Sequence, residues 1–312
     1  MEHQLHPHTK VVLDSLLQGL ADPKTFEVAT FRVFKPGLDE LVGAGEEIFR
    51  SWNASLLVEG VSLPVRWYLP SSSSPELLTI FVHGGGWVSG TLDAYDALCR
   101  SLALRSAGAV LSLDYALSPE AKFPAAIDEV RSAVLNAVKL AAAEGLMITR
   151  LAVAGDSAGG NIVAGALHSL AAIDQMLPAK AVFIYPATDT SMDYQSWRDI
   201  GSAYNLDSAK MKWFWEQYLG PDWQHSGGAQ GSPLNSEHLD RFPESLVITA
   251  THDPLKDEGR EFYRRLKAAG TNALHIEVPG QIHGFIRFRQ AMTDPQWGAD
   301  AVMQRIGDFL QS

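Results

Sequence analysis

Gly155-Asp156-Ser157-Ala158-Gly159-Gly160 sets a serine between small residues in the pattern Gly-x-Ser-x-Gly. It follows an apolar run at 151–154 and opens a small-residue run at 158–172. A sharp strand-to-helix turn needs such neighbours, and it pushes the Ser157 hydroxyl out of the top of a sheet. A serine hydroxyl is a weak nucleophile, so it needs a base, and the base needs an acid to orient it. Ten histidines are available. His283, in Pro279-Gly280-Gln281-Ile282-His283-Gly284-Phe285, stands just past the run at 274–278. Asp253, in Thr251-His252-Asp253-Pro254, stands just past the run at 246–250. Asp253 could instead cap a helix, and Asp257 or Glu258 could supply the carboxylate. His252 reads as structural. His83-Gly84-Gly85-Gly86-Trp87 follows the run at 77–82. Glycines let the backbone approach a substrate closely. Amides of Gly84 and Gly85, with that of Ala158, could then face a developing oxyanion. His83 reads as a residue that orders this loop, not as a base. The chemistry these residues fit is two-step acyl transfer. A glycine-rich turn could also seat a phosphate, but no Gly-Lys-Ser/Thr or Gly-x-Gly-x-x-Gly accompanies it.

The elements that must position these residues alternate. Strands are expected at 77–82, 109–113, 151–154, 181–185, 246–250 and 274–278. Helices are expected at 91–106, 124–144, 158–172, 256–269 and 297–311, the fourth ended by Gly270. The helix at 124–144 should show Ile127, Val130, Val134 and Val138 on one face. Runs at 54–59 and 61–69 around Glu59-Gly60 read as a hairpin. This is the pattern of an α/β fold with a mostly parallel sheet flanked by helices. Ligands bind such sheets at the carboxyl ends of the strands, where all four motifs fall. An amphipathic helix is expected at 9–21, from Val12, Leu13, Leu16, Leu17 and Leu20, ending at Asp22-Pro23. His3, His6 and His8 read as a solvated terminus.

Residues 188–240 break the rhythm with a Trp- and Tyr-rich helix and Gly- and Pro-rich loops. Such an insertion is usually a lid. The expected division is 1–50 as the first part of a cap and 51–187 as the first part of the core. Residues 188–240 then form a cap insertion and 241–312 the rest of the core. Trp87, Leu206, Trp213, Phe214 and Phe285 are candidates for an apolar substrate wall. Asp156, beside the serine, is a further candidate for substrate contact, and it either orders the elbow or bridges to the cap.

The 312 residues carry a net charge of −11. That balance argues against phosphate-backbone binding, so no nucleic-acid partner is expected. One cysteine, Cys99, excludes a disulfide within the chain and a cysteine metal cluster. No metal-ligand spacing stands out, so neither a metal nor a cofactor is expected. The first residues lack a secretory pattern, and no apolar run reaches membrane-spanning length. A cytoplasmic protein with no membrane partner is the expectation. The last strand and helix could form a homodimer edge.

The set His83-Gly-Gly-Gly-Trp87, Gly155-Asp-Ser-Ala-Gly-Gly160, Asp253-Pro-Leu-x-Asp-Glu-Gly259 and His283-Gly-Phe285 resembles the hormone-sensitive-lipase-like family of microbial carboxylesterases. The resemblance runs from about residue 50 to the end. It implies an α/β-hydrolase fold with an eight-stranded, mostly parallel sheet and a helical cap. It also implies a cofactor-free carboxylesterase acting on short- to medium-chain esters. Ser157 would be the nucleophile, Asp253 the acid and His283 the base, with Gly84, Gly85 and Ala158 as oxyanion donors. The order Ser…Asp…His is the one α/β-hydrolases use. One departure stands in Asp114-Tyr115-Ala116-Leu117-Ser118-Pro119-Glu120, where the family's arginine is Ala116. It leaves open what charge supports the loops near the site. Amides, lactones and carbamates are alternative substrates for the same triad. A non-catalytic binder on this scaffold would lack a triad member, and none is missing.

Overall fold

The computed structural model describes residues 4–18, 26–32, 38–58, 61–200 and 204–312. Three helices come first: α1 (Pro7–Gln18), α2 (Val28–Arg32) and α3 (Leu38–Val42). The sheet follows, from β1 (Arg50–Val58), β2 (Val61–Leu69), β3 (Leu77–Val82), β4 (Ala109–Leu113), β5 (Arg150–Asp156), β6 (Lys180–Ile184), β7 (Glu244–His252) and β8 (Ala273–Ile282). Their spatial order is β1-β2-β4-β3-β5-β6-β7-β8. β2 pairs antiparallel with β1 and β4, and the remaining neighbours run parallel. The turn expected at Glu59-Gly60 lies outside the described residues, as do His3, Leu20 and Asp22-Pro23.

β3 and β4 are buried along their whole length, because helices cover both faces of a parallel sheet. Alternate residues of β3 feed two separate cores. Leu78, Ile80 and Val82 join the first, and Leu77 and Phe81 the second. α4 (Asp96–Ser106) and α11 (Ala299–Gln311) pack into the second core. α5 (Ala125–Ala143) and α6 (Ala158–Ala172) pack into the first. Full burial of each Leu, Ile, Val or Phe is worth roughly 1.5–3 kcal/mol.

Some boundaries differ from expectation. α4 starts at Asp96, because residues 92–95 are turns. On α5, Ile127, Val130 and Val134 are buried, but Val138 is 56% exposed. The buried stripe passes instead through Ala137 and Ala141, one position round the helix. Between β6 and β7 lie α7 (Gln195–Asp199), α8 (Ser208–Leu219) and α9 (Gly228–Gly231). α10 (Lys256–Ala269) follows β7 and ends at Gly270, which takes a left-handed φ of 97°.

The edge pair β7/β8 has an irregularity that matters for the site. Ala250 pairs with Val278, but His252 pairs with Ile282. β8 therefore carries two more residues than β7 across this stretch. The extra chain bows out at Gly280, with φ +71°. From the sequence this strand is expected to end at 278, because Pro279-Gly280 reads as a loop. Pairing resumes beyond it, so Asp253 and His283 leave the sheet side by side. α1 braces the bow. The His6 amide donates to the Gly280 carbonyl at 3.1 Å, and Thr9 Oγ1 donates to Gln281 Oε1 at 2.8 Å. His6 also meets Asp294 at 3.1 Å, so from residue 4 the described N-terminal segment is docked, not a solvated tail. Among the described residues no helix is long and apolar enough to cross a membrane.

Candidate active site

Ser157 sits between β5 and α6 with φ +54°. A left-handed serine costs about 1–3 kcal/mol and persists only where its surroundings enforce it. Here the elbow is too tight for side chains. A Cβ on Gly159 would strike the Val82 carbonyl, and one on Gly155 would meet the Gly159 backbone. The Ser157 amide donates to the Ile184 carbonyl at 2.8 Å.

Ser157 Oγ lies 2.9 Å from His283 Nε2. His283 Nδ1 lies 2.7 Å from Asp253 Oδ2. Asp253 is fully buried, and its Oδ1 accepts the Leu255 amide at 2.9 Å. That second bond fixes the carboxylate plane. The imidazole must carry its proton on Nδ1 to donate to this carboxylate, which leaves Nε2 free to accept from Ser157. The other carboxylates are engaged elsewhere. Asp257 accepts the Ser196 amide and pairs with Arg260. Glu258 accepts from the Thr188 amide at 2.7 Å and from the Trp197 indole at 3.3 Å. His252 meets Thr251 Oγ1 at 3.1 Å and packs on Tyr204.

The glycine loop departs from expectation at one position. The Gly84 amide donates to Asp156 Oδ1 at 2.7 Å, so it is not available to an oxyanion. Among the described hydrogen bonds, the amides of Gly85, Gly86 and Ala158 have no protein acceptor. All three residues line the cavity beside Ser157. Asp156 is the strap between elbow and loop. Its Oδ2 accepts from Tyr95 at 3.2 Å and Tyr185 at 3.3 Å. Burial raises its pKa, opposed by the nearby Arg287 charge and the Gly84 amide. Asp156 thus orders the elbow from below and does not bridge to the cap.

His83 is fully buried between Tyr95 and Tyr115. Its Nδ1–H donates to the Gly84 carbonyl at 2.8 Å. Burial pushes its pKa down to about 4. It stays neutral and holds the loop.

A cavity of about 730 Å³ opens over Ser157 and His283, within the usual range for small-molecule sites. Trp87, Leu206, Phe214 and Asp156 line it as expected, joined by Phe31, Met211 and Leu117. Phe285 does not. It is fully buried against Tyr185, with ring centroids 5.9 Å apart. Trp213 is not on the wall either, and it stacks on Phe31 at 4.8 Å. Phe31 and Arg32 come from an irregular stretch with no periodicity to flag them. Arg32 supplies charge to the loops around Ala116. Its Nη2 donates to Glu120 at 2.7 Å and to the Ser118 carbonyl at 2.9 Å. Its Nε donates to the Val88 carbonyl at 2.8 Å. The hydrogen bond from Arg32 pulls the Glu120 carboxyl down to about 2. Among the described residues no group of three or more His, Cys, Asp or Glu could hold a metal.

A mostly parallel sheet with a strained serine elbow after β5, and an acid and a histidine at the ends of β7 and β8, defines an α/β-hydrolase. A family model described as an alpha/beta hydrolase fold matches residues 79–287. The chain is 34% identical over 256 residues to an ethyl acetate hydrolase of Pseudomonas putida, covering 81% of this chain and 80% of that one. It is 33% identical over 231 residues to an arylesterase of Saccharolobus solfataricus, covering 73% and 74%. The hyperthermophilic esterase of Pyrobaculum calidifontis superposes with a TM-score of 0.89 at 29% identity, over 99% of this chain and 98% of that one. The chain belongs to the α/β-hydrolase family, in its hormone-sensitive-lipase-like branch of microbial carboxylesterases.

Proposed function

We propose that this carboxylic ester hydrolase cleaves short- to medium-chain acyl esters with Ser157 as nucleophile, His283 as base and Asp253 as orienting acid. The observation that carries this is the unbroken chain Ser157–His283–Asp253, at 2.9 and 2.7 Å, at the floor of a mostly apolar cavity. His283 Nε2 takes the Ser157 proton as Oγ attacks the ester carbonyl. Amides of Gly85, Gly86 and Ala158 receive the oxyanion, and losing one such donor costs roughly 3–4 kcal/mol of transition-state stabilisation. His283 then protonates the leaving alcohol. Water activated by the same nitrogen releases the acid and restores Ser157. Asp253 accepts the Nδ1–H throughout and stabilises the imidazolium.

Residues 1–50 and 188–240 form the cap in this reading. Phe31 from the first lies 5.2 Å from Phe214 of the second, and both line the cavity. Two copies pair along the open β8 edge, where Leu274 is 51% exposed. Light scattering at the mass of one chain would refute that pairing.

The test is turnover of 4-nitrophenyl esters from acetate to palmitate by the parent and by Ser157→Ala. The parent should hydrolyse the shorter esters with saturation, and the variant should lose that turnover while staying folded. Turnover that survives in Ser157→Ala would overturn the assignment.

A further inference from the structure

Three flexible cationic side chains line the cavity: Arg32, Lys210 and Arg287. Two are spent. Arg32 is bound to Glu120 and two carbonyls. Lys210 donates to the Asn205 carbonyl at 2.5 Å. Arg287 differs. It stands four residues past His283, at the end of the short turn Phe285–Arg287. Its guanidinium carbon lies 4.5 Å above the Tyr95 ring centroid. Tyr95 also supports its charge through a side-chain hydrogen bond, but Arg287 stands in none of the ion pairs among the described residues, and its Nε is buried without an acceptor.

The acids that share this wall do not consume it. Asp156 attracts Arg287 through space, but its oxygens already accept from Gly84, Tyr95 and Tyr185. Asp93 and Asp96 pair with Arg66, and Asp96 also with Arg100. Asp39, at the rim, is exposed. A guanidinium withdrawn from water with an empty donor is unfavourable, and its fork matches a carboxylate. Away from Arg287 the same cavity is apolar, with Trp87, Leu206, Met211 and Phe214 on its wall.

We propose that Arg287 makes the cavity selective for esters that also carry a carboxylate, the half-esters of short dicarboxylic acids. The proposal rests on the carboxylesterase reading and names its substrate class. The hydrocarbon lies against the apolar wall, the ester carbonyl over Ser157, and the free carboxylate on the Arg287 fork.

The experiment compares kcat/KM for monoethyl succinate and monoethyl glutarate with that for ethyl butanoate, read by proton release at constant pH. The parent should favour a half-ester. In Arg287→Gln the ratio of half-ester to neutral ester should fall at least tenfold, through KM, and Arg287→Lys should restore part of it. An unchanged ratio would overturn the proposal. So would a parallel loss on both substrates, which would make Arg287 only a prop for Asp156. Binding is read separately from chemistry in Ser157→Ala. Glutarate should raise its unfolding temperature, and should not do so in Ser157→Ala/Arg287→Gln. If no ester is turned over but glutarate still stabilises through Arg287, the hydrolase reading fails and the anion site stands. No stabilisation by glutarate, or equal stabilisation of both proteins, sinks the anion site.

Discussion

At the residue scale, the site depends on protons held in fixed places. Asp253→Asn keeps the shape of the carboxylate, but with its oxygen held by the Leu255 amide it turns an NH2 donor toward His283 Nδ1 and so favours the wrong tautomer. By analogy with other Ser-His-Asp enzymes, kcat should fall about 10⁴-fold with little change in KM. Steady-state kinetics on a short 4-nitrophenyl ester would show it. His83 makes a second prediction. Its pKa is lowered from 6.5 to about 4 by burial. The unfolded chain therefore binds a proton there between those values and the folded chain does not. The stabilising contribution is complete above pH 6.5 and is lost as pH falls toward 4, a loss of roughly 3 kcal/mol. Urea unfolding should show His83→Asn less stable than the parent at pH 7 but losing less on acidification. The triad was legible because each member sits in a short, distinctive string at a strand end. Which amides of the glycine loop stand free was only partly legible. Whether the Gly84 amide is free depends on where the Asp156 side chain points, and no spacing encodes that.

At the element scale, α10 is tied to the segment after β6 through one buried acid. Glu258 is fully buried and accepts the Thr188 amide and the Trp197 indole. Burial raises its pKa well above 4.5, with help from the neighbouring charge of Asp189. Its contribution to stability is therefore full below pH 4.5 and is lost as pH rises through the elevated value. Glu258→Gln has no such dependence. The stability gap between parent and variant should narrow from pH 5 to pH 8 by at least about 1.4 kcal/mol, the worth of one pKa unit. Denaturant midpoints at the two pH values decide it, and a constant gap would refute the argument. Strands read well from the sequence because parallel strands buried on both faces are plain apolar runs. β8 read short because its bow at Gly280 looks like a turn, yet the bow is what aligns Asp253 with His283.

At the scale of the whole molecule, the least legible part is the N-terminal segment. Its helix pattern was clear, but not its destination. α1 buries Val12, Leu13 and Leu16 in the second core and bonds the bow of β8. α2 and the chain at 42–45 close one side of the cavity. Deleting residues 1–45 should therefore lower the unfolding temperature and raise KM for esters, with a larger loss in kcat than an open pocket alone would give. Thermal unfolding together with steady-state kinetics tests this. A deletion that changed KM but left kcat and the melting point intact would show that the brace on β8 is idle.

The contact between Gly86 and α8 carries a consequence for how such an enzyme can diversify. A Cβ at Gly86 would collide with the Phe214 ring. The ring on the cavity wall thus rests on the backbone that, in the proposed mechanism, receives the oxyanion. Selectivity and rate are geared together at this point. Under selection for a new substrate, changes at Phe214 would shift both traits at once. Routes that begin elsewhere on the wall, at Leu206 or Met211 for instance, leave the gear unturned.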